Sequence, residues 1–171
     1  MSPNIIFVAG VHGVGKTTYC YELSKKLGLQ HFSASDIIRS QKASAVPLNT
    51  KSVKNTEKNQ DLLLQGIEGL ELFNKDIILD GHFVLLQNDE IKHLPLSTYE
   101  GLRINKIILL SDSPENIYKR ITARDVDSQF SVDLINRMQI AETEYAKEVS
   151  QVLDVKLKVV TIIDKSSEPS R

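Results

Sequence analysis

Gly10-Val11-His12-Gly13-Val14-Gly15-Lys16-Thr17 is the stretch that decides the fold, because the apolar run Ile5-Ile6-Phe7-Val8-Ala9 precedes it and a helical pattern follows it. The octet matches Gly-x4-Gly-Lys-[Ser/Thr]. In such a loop the glycines let the backbone curl so that several N–H groups face one anion, while the lysine supplies a cation and the hydroxyl a ligand for Mg2+. The helix that starts there adds the positive end of its dipole. Gly10, Gly13, Val14, Gly15, Lys16, Thr17 and Thr18 are therefore expected to hold nucleotide phosphates, with Thr17 on the Mg2+. The strand before the loop and the helix after it are the context that gives the match its weight.

At 171 residues the chain suits one domain, 1–171, with one well-buried core. With 41 % apolar and 25 % charged residues its composition is ordinary for a globular protein. A formal net charge of −1 excludes a global basic field that would recruit nucleic acid. The single cysteine, Cys20, allows no disulfide within the chain and fits a reducing compartment, where it reads as a small buried hydrophobe. No apolar run approaches the ~20 residues of a membrane span, and Met1-Ser2-Pro3-Asn4 carries no basic, apolar leader, so a cytoplasmic location without a membrane partner is expected.

The run Ile5 to Ala9 is apolar without alternation, as in a central parallel strand covered on both faces. Tyr19, Leu23 and Leu27 recur every four residues in a helix from Gly15 that Gly28 stops. Leu29 to Phe32 is a short strand, and Ser33-Ala34-Ser35-Asp36 leads into a helix capped by Ser35 or Asp36. Gln41 to Asn59, with Pro47 and many Lys, Asn, Ser and Thr, reads as a polar excursion. Leu62, Leu63, Ile67 and Leu70 mark a helix ending near Phe73-Asn74. Asp76 to His82 is an apolar strand closed by Asp80, and Gln87 to Gly101 reads as a second polar excursion. A strand at Ile104 to Leu110 leads to a helix opened by Ser113-Pro114-Glu115. Arg120 and Arg124 share a face of that helix, whose pattern breaks at Asp125 to Phe130. Ser131-Val132-Asp133 then caps a long helix to about Leu153, and Lys156 to Ile163 is the last strand. Asp164 to Arg171 is a polar tail. About five strands alternating with helices predict an α/β fold, a parallel sheet with helices on both faces, whose strand ends converge on one crevice.

An acid closing an apolar strand beside the loop strand holds Mg2+ through water or orients an acceptor, and Asp80 occupies that position. His82 contacts the acceptor, fixes the Asp80 loop or shuttles a proton; Asp36 caps a helix or binds the acceptor. His12 occupies a freely variable loop position. His31 and His93 stand apart in sequence from any Cys or His cluster, so no metal site made of protein ligands is expected from them.

The chain resembles the adenylate kinase-like nucleoside monophosphate kinases, and among them the short archaeal-type adenylate kinases. The likeness rests on Gly10 to Thr18, on Ala34-Ser35-Asp36-Ile37-Ile38-Arg39, on Ile78-Leu79-Asp80-Gly81-His82, and on Arg124-Asp125-Val126 with Asn136-Arg137 as a short lid and its returning helix. It implies a three-layer P-loop fold with a five-stranded parallel sheet of order 2-3-1-4-5, an acceptor-binding excursion at about 35–75 and a lid at about 121–131. It further implies transfer of the ATP γ-phosphoryl group to a small acceptor, a nucleoside monophosphate, with Mg2+ on Thr17 and Asp80. Lys16, Asp80, Arg120, Arg124 and Arg137 would be catalytic, and Ser35, Asp36, Arg39, Gly81 and His82 would hold the acceptor, Arg39 gripping its phosphate in a bidentate fork. The chain departs from the pattern at Asp80-Gly81-His82-Phe83-Val84, where bacterial adenylate kinases read Asp-Gly-Phe-Pro-Arg. Lys51, Lys54 and Lys58 stand where the archaeal-type enzymes carry arginines.

Two other functions fit the loop. A switch or assembly factor would hydrolyse ATP slowly and act through a protein or RNA partner, and the two polar excursions suit it. A nucleic-acid end kinase would need a basic groove bearing aromatic residues, which the sequence does not cluster.

Overall fold

Three strongly apolar strands and two mixed edge strands assemble into one parallel sheet. The computed structural model of the chain describes residues 3–44, 56–70 and 76–162. Strand β1 (Ile5–Ala9) is central. Around it lie β2 (Gln30–Ser33), β3 (Ile77–Gly81), β6 (Ile104–Ser111) and β7 (Lys156–Thr161), in the order β2-β3-β1-β6-β7. All four pairings are parallel. Counted within this sheet the order is 2-3-1-4-5, the expected α/β arrangement.

Alternate residues of a strand face opposite sides, and both sides are covered. Phe7, Ala9, Leu79, Ile107 and Leu109 pack in one cluster, Val8, Ile78, Ile108 and Leu110 in another. Helix α1 (Lys16–Leu27) and helix α5 (Pro114–Arg124) cover the second cluster through Cys20, Ile117 and Ile121. The first is covered by α2 (Ala34–Ser44) and α3 (Thr56–Glu68) through Ile37, Leu63 and Ile67. Helix α6 (Val132–Leu153) serves both: Ile135 and Met138 join one cluster, Tyr145, Ala146 and Val149 the other. The segment of α6 around Glu142 thus lies where the helix passes from one face to the other.

Local chemistry sets the helix ends. Gly15 caps α1 in the left-handed region at φ 103°, which a side chain would resist. Ser113 accepts the Asn116 N–H at 3.2 Å to start α5, with Pro114 in its first turn, and Ser131 accepts the Leu134 N–H at 3.1 Å to start α6.

Four expectations change. Helix α2 begins at Ala34, so Ser35 and Asp36 sit inside its first turn rather than capping it, and it runs through Gln41 to Ser44, where a polar excursion was expected. Leu27 is 46 % exposed, and Cys20 is the buried side chain of α1. The region Gln87 to Gly101 is ordered into a hairpin and a helix. Strand β4 (Val84–Gln87) pairs antiparallel with β5 (Glu90–His93) around Asn88-Asp89, both at positive φ, and α4 (Leu96–Glu100) follows. Its apolar residues are sparse, but Tyr99 is 1 % exposed. The last strand stops at Thr161. The helix end at Phe73-Asn74, Lys51, Lys54, Pro47 and the tail Asp164–Arg171 lie outside the described residues. No helix among the described residues is long and apolar enough to cross a membrane.

Candidate active site

The loop between β1 and α1 lies against α5. A Cβ at Gly13 would stand 2.7 Å from Cγ1 of Ile121, so glycine is what lets the loop approach that helix. Val14 is fully buried and its N–H bonds the Val11 carbonyl at 3.2 Å, while Thr17 and Thr18 are exposed at the start of α1. The first N–H groups of a helix lack intrahelical acceptors, so this end of α1 offers donors to an anion. Lys16 folds back over the loop. Its Nζ donates to the Gly10 carbonyl at 2.6 Å and the Val11 carbonyl at 3.3 Å, and lies 3.4 Å from Nδ1 of His82. Burial lowers the Lys16 pKa, opposed by the negative charges of Glu142 and Asp80.

Parallel register brings the end of β3 beside the loop, with Val8 opposite Asp80 and Ala9 opposite Gly81. The Asp80 carboxylate meets Nε2 of His31 on β2. Cys20, His31 and Asp80 bring a thiol, an imidazole and a carboxylate within 4.8 Å of one another, so His31, remote from such groups in sequence, is not remote in space. Burial pushes the Cys20 thiol up to about 12, and Asp80 adds to that. His82 Nδ1 lies 3.0 Å from the Gly10 carbonyl, which can only accept, so Nδ1 carries the proton and Nε2 keeps its lone pair. Burial, then the Lys16 charge, pushes the imidazole down to about 4. His82 is neutral at pH 7.

Asp80, Gly81 and His82 line a cavity of about 200 Å3 together with Ser33, Ala34, Ser35, Ile38, Gln60, Leu63, Thr98 and Tyr99. Its walls are mainly apolar, with short polar groups between, as small-molecule sites usually are. Of the expected acceptor ligands, the structure brings Ser35, Gly81 and His82 to this cavity. Arg39 and Asp36 do not line it; they form an exposed ion pair at 2.9 Å on α2.

The three arginines expected at a lid part company. Arg120 is docked: its guanidinium pairs with buried Asp112 at 2.6 Å and reaches the Gly13 carbonyl at 3.3 Å and the Val14 carbonyl at 3.5 Å. Arg124 is exposed, and its charge helps to lower the His12 pKa after burial and Lys16. Arg137 is exposed and pairs with Asp133 on its own helix at 3.1 Å. The linker between α5 and α6 is short, with Val126 87 % exposed and Phe130 set 6.0 Å from the His12 ring.

Sequence reasoning missed three residues. Glu142 is 1 % exposed; its Oε1 accepts from Phe83 N at 2.8 Å and its Oε2 from Val84 N at 2.9 Å. Its signal is a carboxylate on the apolar stripe Ile135, Met138, Tyr145, Val149, where burial requires partners. Burial raises its pKa, offset by those N–H bonds and by Lys16. Asp112 follows β6 and holds Arg120, and its backbone exchanges hydrogen bonds with the Gln139 amide at 3.2 and 2.7 Å. His31 carried no local signal, because its partner is 49 residues away.

A parallel sheet of this order, a glycine loop feeding the first helix and an acid closing the adjacent strand define a P-loop domain of the kinase type. The chain belongs to the AAA domain family, whose model matches residues 9–139. It is similar to adenylate kinase of Chlamydia trachomatis, 28 % identical over 72 % of this chain, and spans 58 % of the length of that relative. Uridylate kinase of Saccharomyces cerevisiae is 29 % identical over 96 % of this chain and 85 % of its own, and adenylate kinase of Prochlorococcus marinus 27 % identical over 91 % and 85 %. A gluconokinase from Sinorhizobium meliloti shares the fold with a TM-score of 0.51 over 98 % of this chain and 85 % of its own, at 14 % identity.

Proposed function

We propose that this chain transfers the γ-phosphoryl group of ATP to a small acceptor, a nucleoside monophosphate, held in the cavity beside Asp80. The observation that carries the reading is the convergence of Lys16, His82 and Asp80: the lysine of the phosphate loop lies 3.4 Å from a histidine that lines the same cavity as the acid. Named relatives that act on nucleotides support it.

Lys16 leaves its loop carbonyls to meet the β- and γ-phosphates, which replace them as stronger, anionic acceptors. Thr17 and Asp80 carry the oxygen donors that Mg2+ requires and would hold it, Asp80 through a water, and the ion would neutralise charge on the phosphate oxygens. The acceptor oxygen attacks the γ-phosphorus, the bond to the β-bridging oxygen breaks, and the electron pair leaves with ADP. Ser35, Gly81 and His82 orient the acceptor from the cavity wall. Arg120 braces the phosphate loop. Arg124 and Arg137, exposed beside the linker at 125–131, swing in to stabilise the transferring group as that linker excludes water, and Arg39 leaves Asp36 to meet the acceptor phosphate.

The test is ADP release measured with AMP, CMP, UMP, GMP, deoxynucleoside monophosphates and nucleosides in turn, against an acceptor-free blank. At least one nucleoside monophosphate raises turnover well above the blank. Turnover equal to the blank with every acceptor sinks the reading and leaves an ATPase switch.

A further inference from the structure

We propose that Glu142 is the positioning residue of this site, a buried carboxylate on the lid-return helix α6 that sets the end of β3 and the phosphate loop in mutual register. The proposal rests on the kinase reading for its kinetic consequence and on geometry alone for the anchoring itself.

Glu142 stands at the turn of α6 where the helix passes from one face of the sheet to the other, between Met138 in one cluster and Tyr145 in the other. Both of its oxygens are used. Oε1 takes the Phe83 N–H at 2.8 Å and Oε2 takes the Val84 N–H at 2.9 Å. Both donors follow the acid-bearing end of β3, next to His82, whose ring bonds Gly10 at the opening of the phosphate loop. A side chain of α6 therefore fixes the segment that carries His82, and His82 links that segment to the phosphate loop.

What lies on the other side of that tie is the reacting region. His82 immediately precedes Phe83, and its imidazole returns to the Gly10 carbonyl at 3.0 Å. Its own carbonyl accepts the Tyr99 hydroxyl at 2.6 Å from α4. The Gly10 carbonyl also takes the Lys16 ammonium at 2.6 Å. Shifting the Phe83-Val84 backbone by a fraction of an ångström would move His82, Gly10 and Lys16 as a unit.

The hydrogen-bond inventory says which group the position requires. Two backbone N–H donors on two different oxygens need two acceptors, which a carboxylate has and a carboxamide does not. Glutamine is nearly isosteric but would set an NH2 against one of the N–H groups, and an unsatisfied buried donor is costly. The titratable groups whose charges interact with Glu142 are Lys16 from α1 and Tyr99 from α4. Among them only Lys16 carries a positive charge at pH 7.

The experiment compares wild type with Glu142→Gln by steady-state kinetics and by nitrogen-15 NMR of the nucleotide-free chain. In Glu142→Gln, kcat falls at least about tenfold, on the scale that misplacing a group by an ångström produces, while the KM values for ATP and acceptor stay within about threefold. In the spectra, the Phe83 and Val84 amide resonances move and the change carries through to the Gly10 amide and the His82 ring. A folded Glu142→Gln with kcat within about twofold of wild type, or with spectral change confined to Phe83 and Val84, overturns the proposal. Should Glu142→Gln not fold, Tyr99→Phe loosens the same segment by one hydrogen bond: a several-fold loss of kcat at unchanged KM supports the proposal, and unchanged kcat overturns it. A wild-type chain that turns over no acceptor removes the kinase reading, while the spectra still decide the anchoring.

Discussion

The ammonium of Lys16 lies 2.6 Å from the carbonyl oxygen of Gly10, so the cation expected to meet a nucleotide is held by the first residue of its own loop. Two backbone carbonyls stand where phosphate oxygens will compete for it. Replacing Lys16 by Met removes the charge and keeps most of the apolar stem. ADP release should fall at least about a hundredfold, as expected for loss of a charge aimed at the transferring group, with the melting temperature little changed. Retained turnover in the coupled assay would show that some other group carries the phosphate chemistry.

The hairpin and α4 are held under the cavity by aromatic contacts. Phe83 is fully buried, with its ring centroid 5.3 Å from Phe7, 4.9 Å from Tyr99 and 6.2 Å from Tyr145. Phe83→Ala leaves a cavity among rings on three different elements that cannot all close over it. A loss of about 3–5 kcal/mol is expected from such truncations, read as a shift in the urea midpoint at unchanged slope. A loss under about 1 kcal/mol would mean that the segment after β3 repacks freely, against its bonding to Glu142 and Tyr99.

Much of this arrangement was legible in the sequence. Ile5–Ala9, Ile77–Leu79 and Ile107–Leu110 are unbroken apolar runs, so the central strands and their covered faces follow from the local sequence, and the loop octet fixes which strand is central. The hairpin was not legible, because Gln87 to Gly101 holds few apolar residues and the packing of Phe83 and Tyr99 depends on Phe7, distant in sequence. The site residues divide the same way. Lys16 and Asp80 sit at positions that a local pattern marks, whereas His31 and Glu142 draw their meaning from partners 49 and 58–59 residues away. Arg39 had a local signal that favoured the cavity, but its nearest acid on the helix, Asp36, holds it at the surface.

His82 gives the pH dependence of stability a definite sign. Its folded pKa, pushed down to about 4, lies below the 6.5 of an unstrained histidine. Between those values the unfolded chain binds the proton and the folded chain does not, so stability falls as pH drops from about 6.5 to about 4. Glu142, raised by burial, contributes the opposite slope above pH 4.5, so the histidine is isolated by difference. His82→Gln should lose less stability than wild type between pH 7 and pH 4.5 in urea titrations. Parallel pH curves for the two proteins would contradict a neutral, buried imidazole.

Arg120 and Arg137 should separate stability from turnover, because one is built into the fold and the other rests on the surface. Arg120 is the cationic partner of an Asp112 side chain only 4 % exposed, so Arg120→Met leaves a buried carboxylate with N–H donors but no cation, a loss of about 3 kcal/mol. It also frees the Gly13 and Val14 carbonyls, which should raise the KM for ATP. Arg137 and Asp133 are 58 % and 81 % exposed, and such a pair is worth about 0.5 kcal/mol at most. Arg137→Met should therefore melt like wild type while its kcat falls at least about tenfold, the mark of a charge used only as phosphate transfers. If Arg137→Met keeps wild-type kcat, the arginine is a surface residue, and stabilisation of the transferring group passes to Arg124 and Lys16.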